Sequence, residues 1–150
     1  MSGKRVSVPP RWIVRLAWSV HRGLHRISGG RLALRRPRHG RYGLMRLTTR
    51  GRRSGQPRSV ILAYLEDGPN LTTLAMNGWS DGEPAWWLNL LADPAAQIEL
   101  RDGTRPVHAR AAAGAEHDQL WQRWREVDED LDAYAVLRST PTAVVIFEER

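Results

Sequence analysis

Residues 42–76 read YGLMRLTTRGRRSGQPRSVILAYLEDGPNLTTLAM, and this stretch decides the fold. Its apolar and β-branched residues predict strands at residues 42–49, 58–65 and 71–76. The tetrapeptide Asp67-Gly68-Pro69-Asn70 predicts a tight turn between the second and third strands. The stretch therefore predicts consecutive strands whose first connection is rich in glycine and arginine.

The rest of the chain adds strands and helices to this unit. The Asp102-Gly103 pair predicts a hairpin between strands at residues 95–101 and 105–113. With about six strands, mostly joined as hairpins, we expect an α+β fold on a closed or nearly closed antiparallel barrel, since closure removes exposed strand edges. The remaining predicted elements are helices at residues 83–91, 115–127 and 129–137, and a closing strand at residues 142–147.

The length and the cysteine content narrow the possible classes of protein. A chain of 150 residues fits one domain with a sizeable core. It contains no cysteine, which excludes disulfides, Cys-ligated metals and thiol nucleophiles, and which fits a cytoplasmic location. Its five histidines form no metal-binding motif, so we expect no metal site.

Charge is distributed very unevenly along the chain. Residues 1–65 contain 16 of the 23 Lys and Arg residues and no Asp or Glu, the first acidic residue being Glu66. Residues 66–150 contain all 16 acidic residues. A basic first half attracts phosphates, anionic lipid or an acidic small molecule.

Residues 1–41 are predicted to be an N-terminal arm, a basic amphipathic helix and a basic loop that precede the barrel domain of residues 42–150. No apolar run is long enough to span a membrane, and no secretory signal is recognisable. The helix either packs on the domain or lies on an anionic membrane through residues 11–30, as a peripheral contact at the inner face of the cell membrane. Its apolar face comprises Trp12, Ile13, Leu16, Ala17, Val20, Leu24 and Ile27, opposite Arg15, Arg22 and Arg26.

The connection at residues 51–58, GRRSGQPR, is the first candidate site. Glycines allow backbone N–H groups to converge on an anion, and an arginine fork matches phosphate or carboxylate. The alternative is a solvated basic turn. The connection is neither a Walker loop nor a dinucleotide fingerprint, because the required flanking helix and βαβ unit are absent.

The second candidate site is the glycine-containing loop at residues 77–82 and the helix after it, which opens with Trp86-Trp87. Adjacent helical residues lie about 100° apart, so one tryptophan could face the core while the other stacks on a planar ring. Asn89 lies within a turn of both and could bond to a ligand. The alternative is that Trp86 and Trp87 both fill the core.

Together these motifs resemble the deazaflavin-dependent nitroreductase and quinone reductase family. The resemblance rests on residues 47–58 (LTTRGRRSGQPR), 64–68 (YLEDG), 77–78 (NG) and 84–90 (PAWWLNL), and extends over residues 10–148. Members use the reduced 5-deazaflavin coenzyme F-420. The resemblance implies a six-stranded split β-barrel of the FMN-binding type, with an amphipathic N-terminal helix and peripheral helices.

The resemblance also implies a chemistry and a set of cofactor-binding residues. The chemistry is hydride transfer to an electrophilic acceptor such as a quinone, an enone or a nitroaromatic. The residues that match the holders of the phosphate and oligoglutamate tail are Arg52, Arg53, Ser54, Gly55 and Arg58. Those that match the walls around the deazaflavin ring are Ile61, Leu62, Ala63, Met76, Asn77, Gly78, Trp86, Trp87 and Asn89.

Several departures from the family pattern fall on the side of the acceptor. Ile61 stands where relatives commonly have proline, Ala63 where they have tyrosine, and Met76 where they have serine. The tyrosine-rich C-terminal lid is reduced to Tyr134, which is the candidate catalytic residue as a substrate contact or proton donor. The alternative for Tyr134 is a plain packing role. We expect coenzyme binding to survive these changes, whereas activation of nitroimidazoles is not expected.

Two other functions remain open from the sequence. The same barrel could hold FMN or haem, although FMN has no glutamate tail to match three arginines. A nucleic-acid-binding module is the main rival from another class of protein, although the arginines form no recognisable nucleic-acid motif. The expected partner is a small-molecule electron acceptor, and the chain is expected to be a monomer or a homodimer.

Overall fold

The first two strands form a long hairpin, and along the first of them buried residues alternate with half-buried ones. The computed structural model describes residues 34–76, 78 and 81–150. β1 (Gly43–Arg50) completely buries Met45 and Leu47. It pairs with β2 (Pro57–Asp67) along its whole length, from Gly43↔Tyr64 to Arg50↔Pro57, so residues 51–56 form the connection.

A two-residue turn joins β2 to β3 (Asn70–Ala75). Asp67 pairs with Asn70, and Gly68 between them has a φ of 58°, a left-handed conformation that glycine adopts without strain. The turn predicted at residues 67–70 is thus confirmed.

The remaining strands close the sheet into a barrel. β4 (Ala95–Leu100), β5 (Gly103–Ala111) and β6 (Ala143–Glu149) complete the order β1-β2-β3-β6-β5-β4, with all neighbours antiparallel. The β4–β5 turn consists of Arg101-Asp102, because Gly103 already pairs with Leu100. The hairpin prediction was therefore right in kind and one residue late in position.

One apolar cluster fills the barrel. α1 (Ala85–Ala92) contributes Trp86, Trp87 and Leu90 to it. The strands contribute Met45, Leu47, Leu62, Tyr64, Leu71, Ala75, Ala96, Ile98, Leu100, Val107, Ala109, Val145 and Phe147. Because alternate residues of a strand point to opposite faces, these positions define the inner face of the barrel.

A second apolar cluster lies on the outer face of the barrel. α2 (Ala115–Val127) buries Leu120 and Trp124, and α3 (Leu131–Ala135) buries Leu131. They pack with Leu65, Leu74, Ala112, Val144 and Ile146. The predicted closed six-stranded barrel with peripheral helices is confirmed, and α2 begins and ends at the predicted residues.

The N-terminal helix predicted within residues 11–30 lies outside the described residues. Residues 34–41, which the sequence assigned to the N-terminal segment, run along the start of β1. Leu34 is fully buried, and Arg35 pairs with Leu44 through two backbone hydrogen bonds of 3.2 and 2.9 Å. Within the described ranges, no helix has the length and apolar character needed to cross a membrane.

Candidate functional site

The connection between β1 and β2 is a closed loop held by its own backbone. The Gly51 N–H donates to the Gln56 carbonyl and the Gly55 N–H donates to the Gly51 carbonyl, both at 2.8 Å. A Cβ on Gly51 would lie 2.8 Å from Ser54 Oγ and 3.1 Å from the Gln56 oxygen, and Gly55 has a φ of 71°. The loop therefore requires glycine at both positions.

Residues 52–58 are exposed, and the arginines among them carry uncompensated charge. Ser54 Oγ accepts hydrogen bonds from the Gln56 N–H at 3.2 Å and from Arg58 Nη2 at 3.5 Å. Arg52, Arg53 and Arg58 form no salt bridge among the described residues, and the residues outside that part include no Asp or Glu. Three guanidinium groups without carboxylate partners make this loop a site for an anion.

Asn89 of α1 anchors the loop to the barrel. Its Oδ1 accepts hydrogen bonds from the backbone N–H and the Nη1 of Arg52, both at 3.1 Å, and its Nδ2 donates to Thr49 Oγ1 at 3.1 Å. The expectation from the sequence was a direct bond from Asn89 to a ligand. The structure instead gives a residue only 4% exposed whose amide bonds to the protein, so Asn89 positions Arg52.

Trp86 and Trp87 both lie in the core. Each is 7% exposed, and their rings meet edge to face with centroids 6.3 Å apart. The expectation that one of them faces an open cleft is not met, and the alternative with both in the core describes the structure. Both tryptophans belong to the cluster inside the barrel, so both rings pack against apolar side chains there.

The residues predicted to surround the deazaflavin ring do not all face the same side of the barrel. Leu62 belongs to the inner cluster, whereas Ile61 and Ala63 alternate with it and face outward. Ala63 and Met76 are half-buried and pack against the outer cluster. Gly78 has a φ of 59°, and Asn77 lies outside the described residues.

Tyr134 packs against the same outer cluster as Ala63 and Met76. The structure thus brings Tyr134 together, on one apolar surface, with Ala63 and Met76, two of the positions where the sequence departs from the family pattern. Next to Tyr134, Asp132 accepts hydrogen bonds from Arg125 and from the Trp121 ring, and these hold the pKa of its carboxyl below the ordinary value.

Sequence reasoning missed Arg138, whose side chain is fully buried. Its Nη1 donates to the Ala75 carbonyl at 3.1 Å and to Thr142 Oγ1 at 2.7 Å, and its Nη2 donates to the Gly82 carbonyl at 2.9 Å. One guanidinium thus ties together both ends of the loop that runs from β3 to α1. An isolated arginine in the sequence LRSTPT carries no signal for this role.

A second hydrogen bond supports the contacts of Arg138, and we call the two together the clamp. The Ser139 N–H donates to Asp81 Oδ1 at 2.6 Å, and this bond lowers the pKa of the Asp81 carboxyl. Arg138 Nη2 also lies 3.8 Å from Glu83 Oε1. The segment after α3 therefore bonds to described residues on both sides of Gly78, namely Ala75, Asp81 and Gly82.

Comparisons with known proteins give consistent results. The model of the F420H(2)-dependent quinone reductase family matches residues 21–149. An F420H(2)-dependent quinone reductase of Mycobacterium tuberculosis is 29% identical over 136 residues, covering 87% of this chain and 89% of that protein. A solved F420-H2 dependent reductase shares 26% identity at a TM-score of 0.64, covering 70% of this chain and 93% of that one. A structure described as a domain-swapped dimer shares 25% identity at a TM-score of 0.66, covering 87% of this chain and 97% of that one.

Proposed function

This chain belongs to the family of F420H(2)-dependent quinone reductases, which are oxidoreductases, and we propose that its arginine loop binds the anionic tail of reduced coenzyme F-420. One observation carries the proposal. Arg52 and Arg53 are exposed on a loop that glycines and Asn89 hold in shape, and Arg58 is exposed at the start of β2 beside it. None of the three has a carboxylate partner among the residues that the structure describes. Such a loop suits a ligand with a phosphate and several carboxylates.

Each loop residue has a separate task in this proposal. Arg53 and Arg58 provide forks for the phosphate and carboxylates, and Ser54 provides a hydroxyl. The N–H of Gly55 is already bonded to the Gly51 carbonyl, so Gly55 contributes the turn of the backbone instead of a donor. Asn89 holds Arg52 in place, which reduces the ordering required when the tail binds. Preorganised donors of this kind increase affinity without any new contact.

We also propose that the ring lies beside the residues that the family resemblance assigns to it. Trp86, Trp87 and Leu62 support the wall from the barrel interior, whereas Ile61, Ala63, Met76 and Gly78 form the side nearer the acceptor. When bound, the reduced coenzyme supplies a hydride. The protein orients it and limits the access of water.

The acceptor that we propose first is a quinone, with enones and nitroaromatics as further candidates. The small Ala63 leaves space for a ring, and Met76 offers an apolar surface without a proton donor. An acceptor that takes up a hydride also needs a proton. Tyr134 on the same apolar surface is the hydroxyl that we propose for this, with solvent as the alternative source.

Titration of the purified protein with oxidised coenzyme F-420, followed by coenzyme fluorescence, tests the binding proposal. We expect micromolar or tighter binding that weakens about tenfold in Arg58→Ala, as for the loss of one charged hydrogen bond. Arg105→Ala is the matched control, since this arginine lies outside the loop. Absence of coenzyme binding together with tight FMN or haem binding would overturn the proposal, as would salt-sensitive oligonucleotide binding alone.

For the assembly we propose a homodimer, with the monomer as the alternative. The similar structure described as a domain-swapped dimer supports this proposal. Light scattering on the eluting protein measures the mass directly. A mass of 17.0 kDa at all concentrations contradicts a dimer.

We further propose a peripheral contact between residues 11–30 and the inner face of the cell membrane. Its support is the sequence pattern of an apolar helical face that includes Trp12, opposite Arg15, Arg22 and Arg26. Full-length protein should sediment with anionic liposomes at low salt, and Arg15, Arg22 and Arg26 changed to Gln should reduce this. Protein that stays in the supernatant contradicts the proposal.

A further inference from the structure

A second group of arginines surrounds a cavity at the start of β1. The cavity has a volume of about 420 Å³. It is lined by Leu34, Arg35, Arg36, Arg38, Arg41, Tyr42 and Arg101. Five of its seven lining residues are therefore arginines, and one of these comes from the distant β4–β5 turn.

Local contacts hold the walls of this cavity in place. Arg35 Nε donates to the Tyr42 carbonyl at 3.2 Å, and its guanidinium lies 5.2 Å from the centre of the Tyr42 ring. Arg38 and Arg41 pair through two backbone hydrogen bonds of 3.0 and 2.9 Å around a turn. Arg101 Nη1 donates to the Leu34 carbonyl at 3.4 Å. The arginine backbones are thus positioned before any ligand binds.

The positive charge of the cavity is largely uncompensated. Arg36 lies 3.6 Å from Glu66. Both side chains are exposed, so this ion pair contributes little to stability. Within the described part of the chain, Arg35, Arg38 and Arg41 form no salt bridge, while Asp102 is exposed in the turn next to Arg101. Residues 1–33 contain no Asp or Glu and cannot supply a carboxylate. Such a concentration of cations favours a multiply charged anion.

This cavity is separate from the arginine loop at residues 51–58. The cavity lies before Gly43 and the loop follows Arg50, so the two are at opposite ends of β1. At about 3.3 Å per residue, the strand separates them by roughly 25 Å. The two groups of arginines therefore act on different ligand groups.

We propose that the cavity is a second anion site, which binds the phosphate group of a small metabolite or of a phospholipid headgroup. A phosphate monoester carries close to two negative charges and offers several oxygens to planar guanidinium forks. The cavity volume falls in the range of small-molecule sites. This site does not depend on the proposed use of the coenzyme loop.

Calorimetric titration with inorganic pyrophosphate tests the site in the full-length chain. In Arg53→Ala/Arg58→Ala, which removes two arginines of the coenzyme loop, one binding event should remain. In Arg38→Ala/Arg41→Ala the affinity of that event should fall at least tenfold. The control Arg105→Ala/Arg150→Ala removes the same charge outside the cavity and should bind like the wild type.

Vesicles distinguish the two sources of phosphate. Vesicles of phosphatidylglycerol and phosphatidylcholine should retain wild type and control but less of Arg38→Ala/Arg41→Ala if the ligand is a headgroup. Equal sedimentation, together with loss of pyrophosphate binding in that variant, assigns the site to a soluble phosphate. The Arg38 and Arg41 side chains are exposed, so an unchanged melting temperature should verify folding. The proposal is overturned if all variants bind both probes like the wild type, or if neither probe binds.

Discussion

Asn89 and Arg52 are joined by two hydrogen bonds to one oxygen, from the backbone N–H and from the guanidinium of the arginine, each 3.1 Å long. Through this pair, helix α1 holds the first residues of the loop at residues 51–56 in position. Because Asn89 is 4% exposed, its amide is shielded from competing water, although Arg52 itself is exposed.

We therefore expect Asn89→Ala to weaken coenzyme binding about tenfold, because Arg52 loses its anchor. The free energy of unfolding should fall by about 1–3 kcal/mol, the usual cost of buried polar groups left without partners. Fluorescence titration and urea unfolding measure the two effects. Thr49→Val is the matched control: it removes only the Nδ2 partner, so it should lower stability while leaving coenzyme affinity close to wild type. Equal loss of affinity in both variants would contradict the anchoring role.

Gly51→Ala should reduce coenzyme affinity with a smaller effect on the fold. The added Cβ would meet Ser54 Oγ at 2.8 Å and the Gln56 carbonyl at 3.1 Å, which forces the loop apart. Gly68→Ala is a suitable comparison, since a Cβ there meets nothing within 4 Å and strains only a positive φ. That variant should lose about 1 kcal/mol of stability and no coenzyme affinity. Titration with the coenzyme should therefore show reduced affinity in Gly51→Ala and unchanged affinity in Gly68→Ala.

Arg138→Lys should lower the free energy of unfolding by about 2–3 kcal/mol even though the charge is kept. A single ammonium group cannot reproduce the bonds to Ala75, Gly82 and Thr142, and it leaves buried acceptors without donors. Urea unfolding measures the loss, and steady-state kinetics should show a raised KM for the acceptor. Arg125→Lys, at an exposed ion pair, is the control and should change stability little. Wild-type stability in Arg138→Lys would show that the clamp contributes nothing.

Stability should fall at alkaline pH because of Tyr64. Burial, with Glu66 as the next cause, raises the pKa of its phenol from 10.0 to about 12. The neutral phenol is compatible with the fold, so this stabilising effect is present below pH 10 and is lost as the pH rises toward 12. We expect about 1 kcal/mol less stability at pH 11 than at pH 9 from this group. Tyr64→Phe, which cannot ionise, should show a flatter dependence in urea unfolding, and an equally steep one would exclude this cause.

Tyr134→Phe tests the proposed proton donor. If the hydroxyl protonates the acceptor, kcat with a quinone should fall about 100-fold while coenzyme affinity is unchanged. The solvent isotope effect on kcat should also change. A variant with wild-type kcat and isotope effect would leave Tyr134 with packing against the outer cluster as its role.

Local sequence signals predicted most of the barrel. Apolar and β-branched residues predicted β1 and β2, and the Asp67–Asn70 turn predicted the hairpin of β2 with β3. The helix predicted at residues 115–127 corresponds to α2. These features depend on neighbours within a few residues, and a single sequence contains that information.

The arrangement of the candidate site depended on contacts between distant segments, which the sequence does not reveal. Asn89 bonds to residues 37 and 40 positions away, and Arg138 reaches Ala75 across 63 positions. Helical spacing alone could not decide whether Trp87 meets the barrel interior or a cleft. The charges of the loop at residues 51–58 were evident from composition, whereas the residue that positions them was not.

The alternation along β2 also has an evolutionary consequence. Leu62 packs inside the barrel, while its neighbour Ala63 faces the outer cluster. A substitution at residue 63 therefore leaves the interior packing largely undisturbed. Drift at this position is tolerated more easily than at residue 62, so the outer surface can diversify among relatives while the barrel persists.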